Sequence, residues 1–441
     1  MEVMDPFENL PCELRLEILK FAGANEDMVR LSHASPALLQ PRLVIGTRIR
    51  EKLLTIFTPD LVQDAMAILL FPVGTNKWNK TPVEQHMERW AAKGLPDLIA
   101  EHDLGTPERL RGLYEQLRRY MNDYLSKATS PHLRLAYMHL PEWSHPELST
   151  IDLLPRRPES RRLEVENLSA TEKHRLIKAF LRVELHSRLC SAGISTMSNN
   201  PGARARRGFS TWTWKYLNEI ERTTPTLSEM ESMRCVVEYA DCLHGALAAR
   251  ASFRFCPRGN FGGDTGVGDD GALSPAIWGN HNDNFQPHRF HRCKFRDVII
   301  LKGFDWLDRL LASDMAAAQK LIFGAVGIPS ANALRPPVDG FKHDFYDMGL
   351  DQFREEDGIP DTGVWARLSK ENDWCHAEFE LTDRFPREVD KLQATVARIY
   401  RQRAWAFFDD ERWYPDPCVF PIIQRERERA LAGDDVEPPS D

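Results

Sequence analysis

Apolar residues along this chain recur mostly every three or four positions, the rhythm of helices that bury one face. Combined with start and stop signals, the spacing predicts helices near 11–22, 26–33, 36–54, 59–70, 82–93, 107–127, 170–191, 227–250, 305–324 and 387–408. Ser35-Pro36, Thr58-Pro59, Thr81-Pro82 and Thr106-Pro107 each join a capping residue to a proline at the first helical position, where a missing N–H removes no bond. Thr81 with Glu84, and Ser169 with Glu172, have capping-box spacing, and Gly94 stands where a C′ glycine would. Between 227 and 250, Met233, Val237, Ala240 and Leu243–His244 form a buried stripe. Strict two-residue alternation is scarce, with 251–255 and 296–300 the only tempting strands. The expected fold is mainly α: a small N-terminal three-helix module followed by a larger, irregular α-helical domain.

Breaks in the pattern set the expected organisation. Residues 141–162 hold four prolines and a cluster of arginines, as a linker or long loop would. Residues 256–292 hold seven glycines and three prolines, which predicts an irregular insertion. The expected divisions are a module at 1–50, a helical region at 51–140, the linker at 141–162, a C-terminal helical domain at 163–425 and an acidic tail at 426–441. No repeat of 20–50 residues occurs, so no solenoid or propeller array is expected.

The first predicted helix is apolar on two sides. Leu14, Ile18 and Phe21 fall on one face, Cys12, Leu16 and Leu19 on the opposite one, and Glu13, Arg15, Glu17 and Lys20 lie between. A three-helix unit of this size covers one such face with its own core and leaves the second for something else. Leu10-Pro11-x-Glu13-Leu14, then Ile18-Leu19, an acidic pair before Met28-Val29 and Leu31, and finally Ala34-Ser35-Pro36 resemble an F-box of the kind common in filamentous fungi. The resemblance covers about the first 45 residues. It implies a three-helix module that docks a Skp-type adaptor and hangs a substrate-recruiting body on a cullin–RING ubiquitin ligase. It also implies adaptor contacts from Leu10, Pro11, Leu14, Ile18 and Leu19, with Met28 and Leu31 as second-helix candidates. The chain departs from the animal and plant pattern by lacking its Cys-x-x-Trp ending, and Ala22-Gly23 replaces a large apolar residue. In the body, 180–189 and 400–415 resemble uncharacterised segments that follow fungal F-boxes, and Trp405, Phe407, Phe408, Trp413 and Tyr414 are expected core anchors.

Composition narrows the partners. With 65 acidic against 57 basic residues the net charge is −8, which argues against a protein devoted to neutralising nucleic-acid phosphates. Eight cysteines without a CxxC pair point to reduced thiols, and Cys235 and Cys242, seven apart on one helix, to core packing. The acidic opening lacks a leader pattern and no apolar run is long enough for a membrane span, so a cytoplasmic or nuclear protein is expected.

Enzyme signatures are thin. Gly266–Gly271 spells GxGxxG, but Pro275 interrupts a following helix and Asp269 and Asp270 would repel phosphate. Asp264, Asp269 and Asp270 lack calcium-loop spacing. His281 and Asp283 with His376, and Arg387 beyond, form the sharpest catalytic alternative, an iron-dependent oxygenase triad. Cys256, His288, His291 and Cys293 lack the spacing of a zinc site. The arginines at 156–157, 161–162 and 204–207 suit solvated loops. The expectation is a non-catalytic ubiquitin-ligase adaptor without cofactor or metal; the alternative is an interaction scaffold whose F-box-like segment is structural.

Overall fold

A computed structural model describes residues 5–22, 25–72, 81–96, 105–149, 162–197, 220, 226–252, 302–326, 399–409 and 412–414. Among these residues the regular structure is helical throughout, and the fold is mainly α. In chain order the α-helices are α1 Cys12–Phe21, α2 Asn25–Ala34, α3 Pro36–Ile56, α4 Pro59–Leu69, α5 Thr81–Ala91, α6 Gly105–Ala128, α7 Leu133–Met138, α8 Pro146–Ser149, α9 Ala170–Met197, α10 Leu227–Ser252, α11 Gly303–Ala312 and α12 Met315–Val326. A 3₁₀ turn, Val165–Asn167, precedes α9. The chain divides into two compact units, residues 1–75 with 81–118, and 76–80 with 119–441, so the dividing line falls inside α6.

Caps show how the sequence sets helix ends. The Ser169 amide donates to Glu172 at 2.8 Å while the Glu172 amide donates to the Ser169 hydroxyl at 3.2 Å, the expected reciprocal box at the start of α9. Thr226 and Glu229 make a second such box before α10, at 3.0 and 3.2 Å. At the end of α5 the left-handed residue is Lys93, with φ +55°, and not Gly94, whose amide reaches back to the Arg89 carbonyl at 2.8 Å. The helix expected over 305–324 is two: Ser313 closes α11, and the Asp314 carboxylate accepts the Ala317 amide at 2.8 Å to open α12. Residues 251–252, expected in a strand, finish α10, and 253–255 and 296–300 lie outside the described residues.

In the first unit α4 and α5 lock together through buried polar contacts. The Trp90 indole donates to Asp64 at 2.9 Å, and Gln63 and Leu95 exchange two amide–carbonyl bonds at 3.1 Å. Phe57 meets Tyr114 edge-on with ring centroids 5.8 Å apart.

The second unit is built around α10. From Met230 to Leu247 every residue except Arg234 is buried, so the helix is enclosed on all sides rather than along the one stripe its spacing suggests. Its acidic side chains therefore need partners inside the protein. The Arg401 guanidinium grips Glu231 with two bonds, 2.7 and 3.0 Å, and the Trp405 indole adds a third at 3.3 Å. Gln402 donates to Glu238 at 3.1 Å. The Tyr239 hydroxyl donates to Asp123 at 2.8 Å, and Asp123 pairs with Lys127 at 2.6 Å. The Lys127 ammonium also lies 5.9 and 5.8 Å from the ring centres of Tyr137 and Tyr239.

Residues 399–409 supply most of these partners, and their own backbone is satisfied in turn. Only 399–402 are helical; beyond them Ala404 takes φ +55° and the chain turns. The Tyr124 hydroxyl donates to the Arg401 carbonyl at 2.6 Å, Tyr137 to Gln402 at 2.8 Å and Arg175 to Phe407 at 2.8 Å. Arg403 reaches the last carbonyl of α6, at Ala128 (3.1 Å), and the Ser130 carbonyl just beyond it, where a cation suits the helix dipole. Of the expected anchors Trp405, Phe407 and Phe408 are buried, Trp413 and Tyr414 are only half-buried, and Tyr400 joins the buried set.

A further buried carboxylate fastens α11. Glu184 of α9, 2% exposed, accepts the Phe304 amide at 2.7 Å and pairs with Arg188 at 3.1 Å. Gly303 is required here: its φ is +76°, and an added Cβ would stand 2.7 Å from the Glu184 Oε2. Burial pushes this carboxyl from 4.5 up to about 7, against the pull of Arg188.

Two predictions follow from these charges. Arg401→Met strands Glu231 in the interior and should cost about 3–5 kcal/mol, read from the urea midpoint at constant m-value. Because folding raises the Glu184 pKa, the stability it confers is complete below 4.5 and is lost as pH rises through about 7. The advantage of wild type over Glu184→Gln should therefore shrink by about 3 kcal/mol across that interval; a difference flat with pH rejects the assignment.

Candidate functional site

The opening helices α1, α2 and α3 form a small cluster. Leu19 and Leu38 are fully buried at its centre, with Phe7, Ala22 and Leu31 packed around them. The side of α1 turned away from this centre is bare: Leu14 is 51% exposed and Phe21 96%. Ile18 between them is half-buried. Leu10 is half-buried, and Pro11 and Cys12 are exposed.

The exposed large apolar side chains of the described residues all lie here. They are Leu14 and Phe21 on α1, and Leu39, Leu43, Val44 and Leu54 on α3. Single exposed apolar residues are ordinary on a protein surface, but here they are confined to two neighbouring helices.

Of the residues assigned to partner contact by resemblance, Leu10, Pro11, Leu14 and Ile18 are at or near the surface. Leu19 is not: it faces α3 at the centre of the cluster, where no partner reaches it without unfolding the module. Leu31 likewise packs against Leu19 and Leu38. The Met28 side chain lies outside the described residues. Phe21 and the α3 residues were absent from that set. Phe21 was legible as a member of the Leu14–Ile18 face, and Leu39–Leu43 as an i, i+4 pair on a predicted helix.

A polar clamp ties the segment before α1 to the start of α3. Ser35, expected to cap α3, makes no cap bond with its hydroxyl and instead donates it to Asp5 at 2.6 Å. The Asp5 carboxylate takes over the capping, accepting the Ala37 amide at 3.1 Å and the Phe7 amide at 2.9 Å. The hydrogen bonds from Ser35 and Phe7 hold this carboxyl below the usual range. Arg15 completes the clamp, donating to the Leu10 carbonyl at 2.9 Å and the Ala37 carbonyl at 3.1 Å.

No family model, curated protein or solved structure matches this chain. The site is therefore judged on its own geometry.

The residues of the alternative chemistries fall mostly outside the described residues. The glycine run 266–271, the triad His281, Asp283 and His376, and Cys256, His288, His291 and Cys293 lie outside the described residues, as do Arg387 and the arginines at 204–207. Among the described residues no group of three or more His, Cys, Asp or Glu is placed to hold a metal ion, and no helix is long and apolar enough to cross a membrane. Cys235 and Cys242 are fully buried, in keeping with core packing. His186 and Cys190 approach within 3.6 Å, but both are buried, and burial pushes the imidazole down to about 3, too weak a base to activate a thiol.

The two sides of α1 should respond differently to substitution. Leu19→Ala is expected to cost about 2–5 kcal/mol, whereas Phe21→Ser stays within about 0.5 kcal/mol of wild type. Urea unfolding of the two variants checks this; equal costs would mean that Phe21 is packed in solution.

Proposed function

We propose that this protein is a substrate-recruiting adaptor of a Skp/cullin/RING-type ubiquitin ligase, itself non-catalytic. The observation that carries the reading is the uncovered face of α1. Leu14, Ile18 and Phe21 follow the Leu10-Pro11 opening directly, in a module whose sequence resembles an F-box. In this reading the face docks a Skp-type adaptor protein, and the helical body holds a client. The ligase supplies the chemistry, and the chain acts by raising the client's effective concentration.

A scaffold whose opening helices pack wholly against their own chain would leave neither side of α1 bare. Exposure of Leu14 and Phe21 favours a second protein as the cover. Half-buried Ile18 and Leu10 at the margin suit an interface with a central apolar strip and a polar rim from Glu13 and Glu17.

Co-expression with a fungal Skp protein tests this. A stoichiometric complex is expected, weakened about 1,000-fold by Leu10→Asp with Leu14→Asp, since two central apolar contacts at about 2 kcal/mol each sum to about 4 kcal/mol. Absence of a complex, or one indifferent to the double substitution, overturns the reading.

A further inference from the structure

Pro41 lies inside α3, where it has no amide to give to the carbonyl four residues before it, that of Ala37. A proline ring also crowds the carbonyl four residues before it. A freed carbonyl within a helix needs a new donor. Here the donor is Arg15 of α1, whose Nη1 sits 3.1 Å from the Ala37 oxygen. The same guanidinium donates through Nε to the Leu10 carbonyl at 2.9 Å, one residue before Pro11. The amide of the same Ala37 is claimed by Asp5, 32 residues upstream. Both polar groups of one peptide position in α3 thus anchor the strand of chain that leads into α1.

We propose that Asp5 and Arg15 are positioning residues for the docking face, and that Pro41 sets them by leaving the Ala37 carbonyl open. This rests on the docking reading above and adds to it. The partner meets Leu10 and Pro11 already fixed beside Leu14, so little ordering is needed on binding. Neither side chain needs to touch the partner. Arg15 is half-buried between α1 and α3 and Asp5 faces Ser35, so their effect on affinity is transmitted through the backbone of residues 5–11.

The arrangement makes an unusual forecast for Pro41→Ala. Restoring an amide at 41 lets α3 close its own hydrogen bond to Ala37 and strengthens the helix, yet removes the reason for Arg15 to bridge. The docking edge loosens while α3 becomes more stable.

The experiment has two arms. In the free full-length chain, hydrogen exchange at the Phe7, Leu10 and Ala37 amides is expected to speed up about tenfold in Asp5→Ala and Arg15→Ala. Arg15→Ala should cost at least twofold less in unfolding free energy when made on Pro41→Ala than on wild type. In the second arm, affinity for a purified Skp-type adaptor should fall about tenfold in Arg15→Ala and severalfold in Pro41→Ala, with the unfolding midpoint of Pro41→Ala unchanged or raised.

Undiminished Arg15→Ala cost on the Pro41→Ala background overturns the role of Pro41, whatever the partner. Adaptor affinity kept within twofold by both variants, while Leu10→Asp with Leu14→Asp abolishes binding, overturns the positioning role but leaves the docking reading intact. If that apolar pair has no effect either, the docking reading fails instead, and the exchange results then stand as a property of the module alone.

Discussion

Charge buried in the second unit has to be answered from within the chain, and the answer comes from residues 399–409. Helix α10 is enclosed on every side and yet carries Glu231 and Glu238. An unpaired buried carboxylate would cost several kcal/mol, so the helix occupies this position only with Arg401 and Gln402 in place. The reverse also holds. The turn at Ala404 leaves carbonyls without helical partners, and these are met by hydroxyls of Tyr124 and Tyr137 and by Arg175. Core aromatics in this unit therefore act at both ends, with apolar rings stacked in the interior and oxygens closing off a non-helical backbone.

A related economy appears at two helix starts. Neither α3 nor α11 is capped by the residue just before it; each is closed by a carboxylate from elsewhere, Asp5 for α3 and Glu184 for α11. A distant cap fixes the helix and also the segment that brings the carboxylate. At α11 the fastened pieces are α9 and the Phe304 ring, which stacks on Phe180 with centroids 5.3 Å apart. At α3 it is the approach to α1, and with it the apolar strip that the module offers outward.

Much of the helical pattern was legible because amphipathic spacing, Ser/Thr-Pro starts and the Ser169–Glu172 box are local signals read directly from neighbouring residues. The misread places are those where distant contacts decide. Ser35 looked like a cap because of Pro36, but Asp5 outcompetes the local geometry. The 305–324 pattern ran on as one helix because Ser313–Asp314 keeps the apolar period while breaking the backbone. Within 141–162, read as a linker or long loop for its prolines, Leu148 is buried and the His145 amide donates to the Leu311 carbonyl at 2.6 Å, a contact 166 positions away. At the candidate site the two-faced character of α1 was visible in the spacing of Leu14, Ile18 and Phe21 against Cys12, Leu16 and Leu19. Which face turned inward depended on α3, so Leu19 was assigned outward while Phe21 was passed over.

The span between bonded partners in the second unit also bears on how the protein is made. The Tyr124 hydroxyl bonds a carbonyl 277 positions later. At ribosomal speeds of roughly 5–20 residues per second, the 170 positions from Glu231 to Arg401 amount to about 9–34 s during which the α10 carboxylate has been synthesised but its arginine has not. The first unit, complete once residue 118 has left the tunnel, can fold early. The second stays open until residues 399–409 have emerged, and through that window its buried carboxylates and aromatic side chains stay exposed to solvent.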